Sequence, residues 1–243
     1  MRRDGVLDPR PVVRVAVDAG LAGHPEAWPY SIPAVADLTR DGLELEDLTI
    51  LVGENGAGKS TIVEAVAMAY GLNSEGGSVN SRNSTWASES VLHSALRLVR
   101  GGAAPKWGYF LRAETMHGLF TYLQSTGPEH DFHSRSHGEA FWDMLTTSRF
   151  SGGGLFVLDE PEAGLSFDAQ LRLVALLLEL AGRRGAQVLL ATHSPVLASV
   201  PGAALYELSD DGMRRSRWED LAMVNHYRRY LAAPESYLRH LLE

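Results

Sequence analysis

Nine consecutive residues have the types and spacing to hold a chain of phosphates: Gly53, Glu54, Asn55, Gly56, Ala57, Gly58, Lys59, Ser60 and Thr61. The first eight fill the pattern G-x-x-x-x-G-K-[S/T] without a gap. The glycines let backbone N–H groups turn inward with no Cβ in the way, forming a nest for an anion. A helix starting at Lys59 would point its positive N-terminal end at the same anion. Lys59 is then placed to reach the β- and γ-phosphates, and the Ser60 hydroxyl to ligate magnesium. The expected ligand is ATP with Mg2+. A glycine-rich structural turn is the plainer alternative, and the flanking strand and helix count against it.

A second stretch, Leu155-Phe156-Val157-Leu158-Asp159-Glu160, is an apolar run ending in two carboxylates. A buried strand there delivers Asp159 to the mouth of a sheet, where it can hold the magnesium through a water. Glu160 then stands beside the γ-phosphate as the base that positions or deprotonates the attacking water. Acidic pairs also end ordinary solvated strands, so this reading draws its strength from the phosphate loop.

The pattern along the chain supplies the elements these residues need. Val12–Val17 reads as a strand, and Trp28–Pro33 as an aromatic, turn-rich segment. Leu48–Val52 is a short apolar strand running straight into Gly53, and Lys59–Tyr70 an amphipathic helix stopped by Gly71. Gly71–Thr85 is polar loop, Ser88–Val99 a helix with Val91, Leu92, Leu96 and Val99 on one side, and Tyr109–Ala113 a strand. Helical pattern returns at His117–Leu123 and Ala140–Thr146, with loop at Ser125–Ser136 between them. Leu155–Leu158, Val188–Ala191 and Ala204–Leu208 read as buried strands, Asp168–Leu180 as a long helix, and Trp218–Leu242 as two short helices broken near Pro234. Apolar strands alternating with helices indicate an α/β fold on a mainly parallel sheet flanked by helices.

Composition narrows the function classes. The 243 residues are 45% hydrophobic and 21% charged and contain no cysteine, which excludes disulfides and cysteine-bound zinc. Acidic residues outnumber Lys and Arg by 30 to 22, which argues against a dedicated nucleic-acid coat and leaves room for a local basic groove. No apolar run approaches the roughly 18–20 residues that span a bilayer, and the basic Met1-Arg2-Arg3-Asp4 start has no apolar stretch behind it. A soluble, cytoplasmic protein of one domain is expected. Only Lys59 and Lys106 are lysines; every other basic residue counted among the 22 is arginine. A compact ammonium on a flexible stem suits a phosphate nest where a planar guanidinium does not.

With these landmarks in order, the chain resembles ABC-type ATPase heads, the group of SMC/RecF-like repair ATPases and transporter motor domains. It is most similar to the compact, stand-alone bacterial ATPases of the ABC-type, AAA-like kind. Asp159-Glu160-Pro161 followed by Ala163-Gly164-Leu165-Ser166 resembles a Walker B strand end plus D-loop, and Ala191-Thr192-His193-Ser194-Pro195 resembles the switch segment. The resemblance implies that His193 contacts the γ-phosphate; a surface histidine after a strand is the plainer alternative. It also implies a serine–glycine signature that caps the nucleotide of an opposing protomer. Ser151–Gly154 competes for that role but runs directly into the Leu155 strand. Ser136–Glu139 stands 23 residues before Asp159, with a helical stretch behind it, and is preferred; Ser136, Gly138 and Glu139 are its binding residues. The glutamine expected after the Tyr109 strand is missing. Glu114 takes the metal- and water-sensing place with Arg112 nearby, Gln124 is a weaker claimant, and a plain surface ion pair of Arg112 with Glu114 stays open. An adenine-stacking aromatic upstream of the loop is Tyr30 or Trp28.

The implied architecture is a single P-loop NTPase domain over 1–243. It is an ABC-ATPase-like head with a short helical insertion at about 71–150, a helical tail at 218–243 and no coiled coil. The implied activity is Mg2+-dependent ATP hydrolysis by an ATP-sandwich homodimer that switches a partner in defence, toxin–antitoxin control or DNA repair. A transporter motor subunit and an ATP sensor with little turnover are the alternatives. The tail rich in tyrosine and arginine (His226 to Tyr230, Tyr237 to His240) carries no assigned chemistry and is expected to pack on the domain edge or on a partner.

Overall fold

The computed structural model describes residues 7–74, 76–78, 91–112, 150 and 152–242. Its centre is a seven-stranded sheet ordered β10-β9-β3-β8-β7-β6-β4. The strands are β3 (Leu48–Gly53), β4 (Gly77–Ser78), β6 (Gly108–Arg112), β7 (Gly154–Asp159), β8 (Ala186–Thr192), β9 (Ala204–Ser209) and β10 (Gly212–Arg215). The five inner strands run parallel, and β10 and β4 close the two edges antiparallel. Parallel inner strands covered on both faces call for apolar residues at every position. β7 and β8 are buried from end to end, as the runs Leu155–Leu158 and Val188–Ala191 anticipated.

Alternate residues of each strand feed two separate cores. Ile50, Val52, Phe156, Leu158, Val188 and Leu190 face α4 (Phe167–Ala181), which contributes Leu173, Leu177 and Leu180. Leu51, Leu155, Val157, Leu189 and Ala191 face α1 (Pro33–Asp41) and α2 (Lys59–Tyr70). The helix α2 occupies the predicted residues and stops at Gly71, which takes a left-handed conformation and donates to the carbonyls of Ala67 and Met68. The C-terminal helices α5 (Ala222–Ala232) and α6 (Pro234–Leu242) break at Pro234, as the sequence indicated.

Two elements differ from expectation. Ser88–Val99 is not one helix over its described part: a single turn, α3 (Leu92–Ala95), gives way to strand β5 (Leu96–Val99). Leu96 and Leu98 alternate inward while Arg97 and Val99 face out. That period of two wins once β1 (Arg14–Val17) is there to pair with it, Val15 opposite Leu98 and Val17 opposite Leu96. With β2 (Leu43–Glu44), these strands make a small antiparallel sheet ordered β2-β1-β5. The second difference is α1, which the turn-rich reading of 28–33 passed over; Pro33 starts it, its ring already set to a helical φ. Within the interval 71–150, β6 belongs to the main sheet and β5 to the small one, and the expected helices at 117–123 and 140–146 lie outside the described residues.

One side chain ties the small sheet to the large one. Gln187, fully buried on β8, accepts from the Val12 N–H at 2.8 Å and donates to the carbonyls of Val12 and Glu46 at 2.6 and 3.0 Å. Removing that amide strands a buried donor and two acceptors, at about 1–3 kcal/mol for each group left unpaired. Gln187→Met is therefore expected to lower the unfolding free energy by at least about 2 kcal/mol, read as a fall in urea midpoint with an unchanged slope.

Candidate functional site

Because β3, β6, β7, β8 and β9 are parallel, their C-terminal ends open on one edge, where α/β folds place ligands. The register sets Arg112 beside Asp159, Asp159 beside Ala191, and Val52 beside Thr192. Residues up to 140 apart in sequence thus share one rim with the phosphate loop.

Gly53 ends β3 so close to β9 that a Cβ on it would stand 2.3 Å from the Leu208 carbonyl oxygen. Gly58 caps α2 with φ of 96°, a left-handed conformation that L side chains rarely adopt. Between them the chain wraps around Lys59, which is only 3% exposed. Its Nζ donates to the carbonyls of Gly53 and Glu54, both at 2.9 Å. Burial pushes the Lys59 pKa below the ordinary lysine value, against the pull of the Glu160, Asp159 and Glu162 carboxylates, in that order.

Ser60 opens α2 beside Lys59, and its Oγ donates to Asp159 Oδ1 at 2.9 Å. Asp159 is 4% exposed. A hydroxyl and a carboxylate in contact are hard oxygen donors of the kind magnesium takes, with phosphates and waters completing the octahedron. Among the described residues no cluster of three or more His, Cys, Asp or Glu side chains could hold a metal alone. The donor set therefore fits a cation that arrives with a phosphate ligand. Arg112 leans on the same carboxylate, Nε to Asp159 Oδ2 at 3.4 Å, while its Nη1 donates to Glu64 Oε2 at 2.7 Å. The surface pair of Arg112 with Glu114 lies outside what the structure describes, and the partner it shows is Glu64.

Glu160 is held in an unusual backbone state. Its φ is 50°, the one described non-glycine residue with positive φ, which costs of order 1–3 kcal/mol and persists only when the surroundings enforce it. Its N–H donates to the Ala191 carbonyl at 2.9 Å. His193 Nε2 lies 3.0 Å from Glu160 Oε1; an ionised carboxylate only accepts, so Nε2 carries the hydrogen. Both side chains remain about a third exposed.

Glu162, which the sequence reading did not single out, fixes the histidine segment. Its Oε1 accepts from Thr192 Oγ1 and from the His193 N–H, each at 2.6 Å. Ser194 Oγ in turn donates to Gln170 Oε1 at 2.6 Å, and Gln170 Nε2 donates to the Leu165 carbonyl at 3.2 Å. The segments 160–166 and 191–195 are thereby bolted together at two points. The one sequence signal was a second carboxylate two residues after Glu160.

Of the residues named from sequence, the structure gathers Lys59, Ser60, Asp159, Glu160 and His193 at one rim. Tyr30 is a correction. It is 4% exposed, and a Cβ on Gly23 would come within 2.6 Å of its ring. Its face packs in the core with α1 and is closed to a base, whereas Trp28 is 58% exposed. The metal-sensing Glu114 and the signature residues Ser136, Gly138 and Glu139 lie outside the described residues. So does Ser151; Gly154, at the end of that rival stretch, is already the first residue of β7.

Comparison with known proteins bears on the same segments. A family model described as an AAA domain matches residues 43–101, across the phosphate loop. A second, described as "AAA domain, putative AbiEii toxin, Type IV TA system", matches residues 140–199, across Asp159 to His193. The zinc import ATP-binding protein ZnuC of Vibrio cholerae is 31% identical over 167 residues, 65% of this chain and 62% of ZnuC. These matches support a P-loop ABC/AAA-like ATPase. It matches less than two thirds of the length of its curated relative. Solved structures similar to this chain include cbiO1 from Clostridium perfringens, part of the ABC transporter complex cbiONQ, at 15% identity and TM-score 0.45 over 83% of this chain and 90% of that one. The SMC head domain from Thermotoga maritima is similar at 14% identity and TM-score 0.40 over 72% and 93%. Likenesses that loose carry no functional weight.

Glu162 yields a prediction. Glu162→Ala removes both acceptor contacts that fix His193 and leaves the phosphate loop untouched. Misplacing a reacting group by about 1 Å can cost on the order of 10²-fold in rate. Turnover of ATP should fall at least about tenfold, while the dissociation constant for a fluorescent ATP analogue stays within about twofold of the parent.

Proposed function

We propose that this chain binds ATP with Mg2+ at residues 53–61 and hydrolyses it with Glu160 as general base. The observation that carries the proposal is the convergence of Lys59, the Ser60–Asp159 pair and the Glu160–His193 pair on one edge of the sheet. Lys59 exchanges its two carbonyl partners for β- and γ-phosphate oxygens, so its burial is compensated by a stronger, charge-assisted contact. The N–H groups at the start of α2 face the same phosphates. Bound magnesium would sit between Ser60 and Asp159 and neutralise charge on the phosphate oxygens. Glu160 takes the proton of the attacking water at its carboxylate, a contribution typically worth ~10²–10⁴ in rate. His193 Nε2–H, resting on Glu160, is placed to turn toward the γ-phosphate as charge builds there.

The active form we propose is a head-to-tail homodimer with two ATP molecules between phosphate loop and opposing signature, Ser136, Gly138 and Glu139 of the second copy. Among the described residues, Glu54, Asn55 and Gly56 are exposed and Glu160 is 37% exposed. Charge stabilisation of phosphoryl transfer is strongest where water is excluded, which a second surface over this rim supplies. Hydrolysis would then open the dimer and switch a separate partner, in the cytoplasm, of defence, toxin–antitoxin or DNA-repair type. The AbiEii description of the family matched at 140–199 supports the toxin–antitoxin branch. The relative's description as a zinc import ATP-binding protein supports a second reading, a transporter motor, which requires an integral membrane partner. Among the described residues no helix is long and apolar enough to cross a membrane.

Glu160→Gln tests the base and the sandwich together. The variant is expected to bind ATP, lose turnover by about 10² or more, and accumulate as a dimer with ATP in light scattering. A monomeric variant with full turnover would contradict both. Tight ATP binding in the parent with no turnover, unchanged by the substitution, would instead mark an ATP sensor.

A further inference from the structure

Four side chains close a ring at the metal position. Ser60 and Glu64 stand one helical turn apart on α2; Arg112 ends β6, and the register sets it beside Asp159 on β7. Ser60 Oγ holds Asp159 Oδ1 at 2.9 Å, Arg112 Nε faces Asp159 Oδ2 at 3.4 Å, and Arg112 Nη1 holds Glu64 Oε2 at 2.7 Å. The ring is largely withdrawn from water, with side-chain exposures of 22% for Arg112, 12% for Glu64 and 4% for Asp159.

A guanidinium is positive at every working pH and carries five donors and no acceptor. It can neutralise Asp159 but can never ligate a metal, so it competes with a cation for that carboxylate. The two contacts are unequal: the Glu64 bond is short and direct, and the Asp159 approach is longer. Arg112 can thus yield Asp159 while keeping a buried carboxylate partner, and neither charge is left stranded.

We propose that Arg112 is a tethered counter-ion at the metal position. It neutralises Asp159 while no nucleotide is bound and retires onto Glu64 when one is. A divalent cation then enters only together with the nucleotide, whose phosphates supply the negative charge that Arg112 has cancelled. This inference rests on the reading that Ser60 and Asp159 hold magnesium with ATP.

Mn2+ binding to the full chain, followed by the electron paramagnetic resonance signal of free Mn2+, separates the possibilities. It is measured without nucleotide and with a non-hydrolysable ATP analogue. The parent protein should bind Mn2+ weakly alone and tightly with the analogue. Arg112→Met should tighten nucleotide-free Mn2+ binding about tenfold or more, since a fixed charge at this range shifts a carboxylate's cation affinity by at least that much. Glu64→Gln removes the carboxylate onto which the guanidinium retires and should weaken Mn2+ binding in the presence of the analogue. Nucleotide-free binding unchanged by Arg112→Met, or Glu64→Gln moving it in the same direction as Arg112→Met, would overturn the proposal. If Arg112→Met does not fold, Glu64→Gln decides alone: Mn2+ binding with the analogue that is unchanged or tighter would overturn the proposal. A parent protein that binds no Mn2+ even with the analogue would overturn the ATP–metal site itself, an outcome distinct from a normal parent with an unresponsive Arg112.

Discussion

A lysine ammonium withdrawn from water is the constraint around which the site is organised. Lys59, 3% exposed, must be hydrogen-bonded where it lies, and the carbonyls of Gly53 and Glu54 do this only because the chain reverses over them. That reversal needs Gly58 in a left-handed conformation and Gly53 without a side chain against β9. Carbonyls are neutral partners and leave the positive charge uncancelled. The nearby Glu160, Asp159 and Glu162 supply the compensating field, but none of them is the ammonium's hydrogen-bond partner. An anion that accepts those hydrogen bonds directly therefore gains from both the buried charge and the nest of N–H groups.

The parallel sheet extends that local constraint into a site. Its register brings Arg112, Asp159 and Ala191 into one row, so groups from three strands meet without a long loop to carry them. Rigidity comes from the connections between segments 160–166 and 191–195. Glu162 holds the backbone of His193, Ser194 and Gln170 tie the same stretch back to Leu165, and the Glu160 N–H is anchored to Ala191. The strained φ of Glu160 is affordable in this frame, because Ala191 anchors its N–H and His193 meets its carboxylate. Positioning of this kind is most of what phosphoryl transfer asks of a protein.

Much of this was legible in the residues because it is local. The phosphate loop and its helix follow from glycine spacing and an apolar stripe, and β7 and β8 from apolar runs too short for helices. Illegible parts depended on partners distant in sequence. Leu92, Leu96 and Val99 fit a helical stripe, and only pairing with β1 reveals the alternation of Leu96 and Leu98. Tyr30 and Trp28 were both candidates to stack on a base, and packing against Gly23 and α1 takes the tyrosine into the core. Glu64 and Arg112 are 48 residues apart, and only the packing of α2 against the sheet brings them together. Glu162 sat in plain view in the acidic stretch, but its role appears only when β8 is laid beside β7.

The central claim is that this rim hydrolyses ATP once a second copy completes it. The most direct measurement is ATP turnover per molecule, with magnesium, across a wide range of protein concentration, with light scattering on the same samples. The account predicts specific activity that climbs with concentration in step with the dimer fraction. Full activity in samples that scatter as monomer would contradict it.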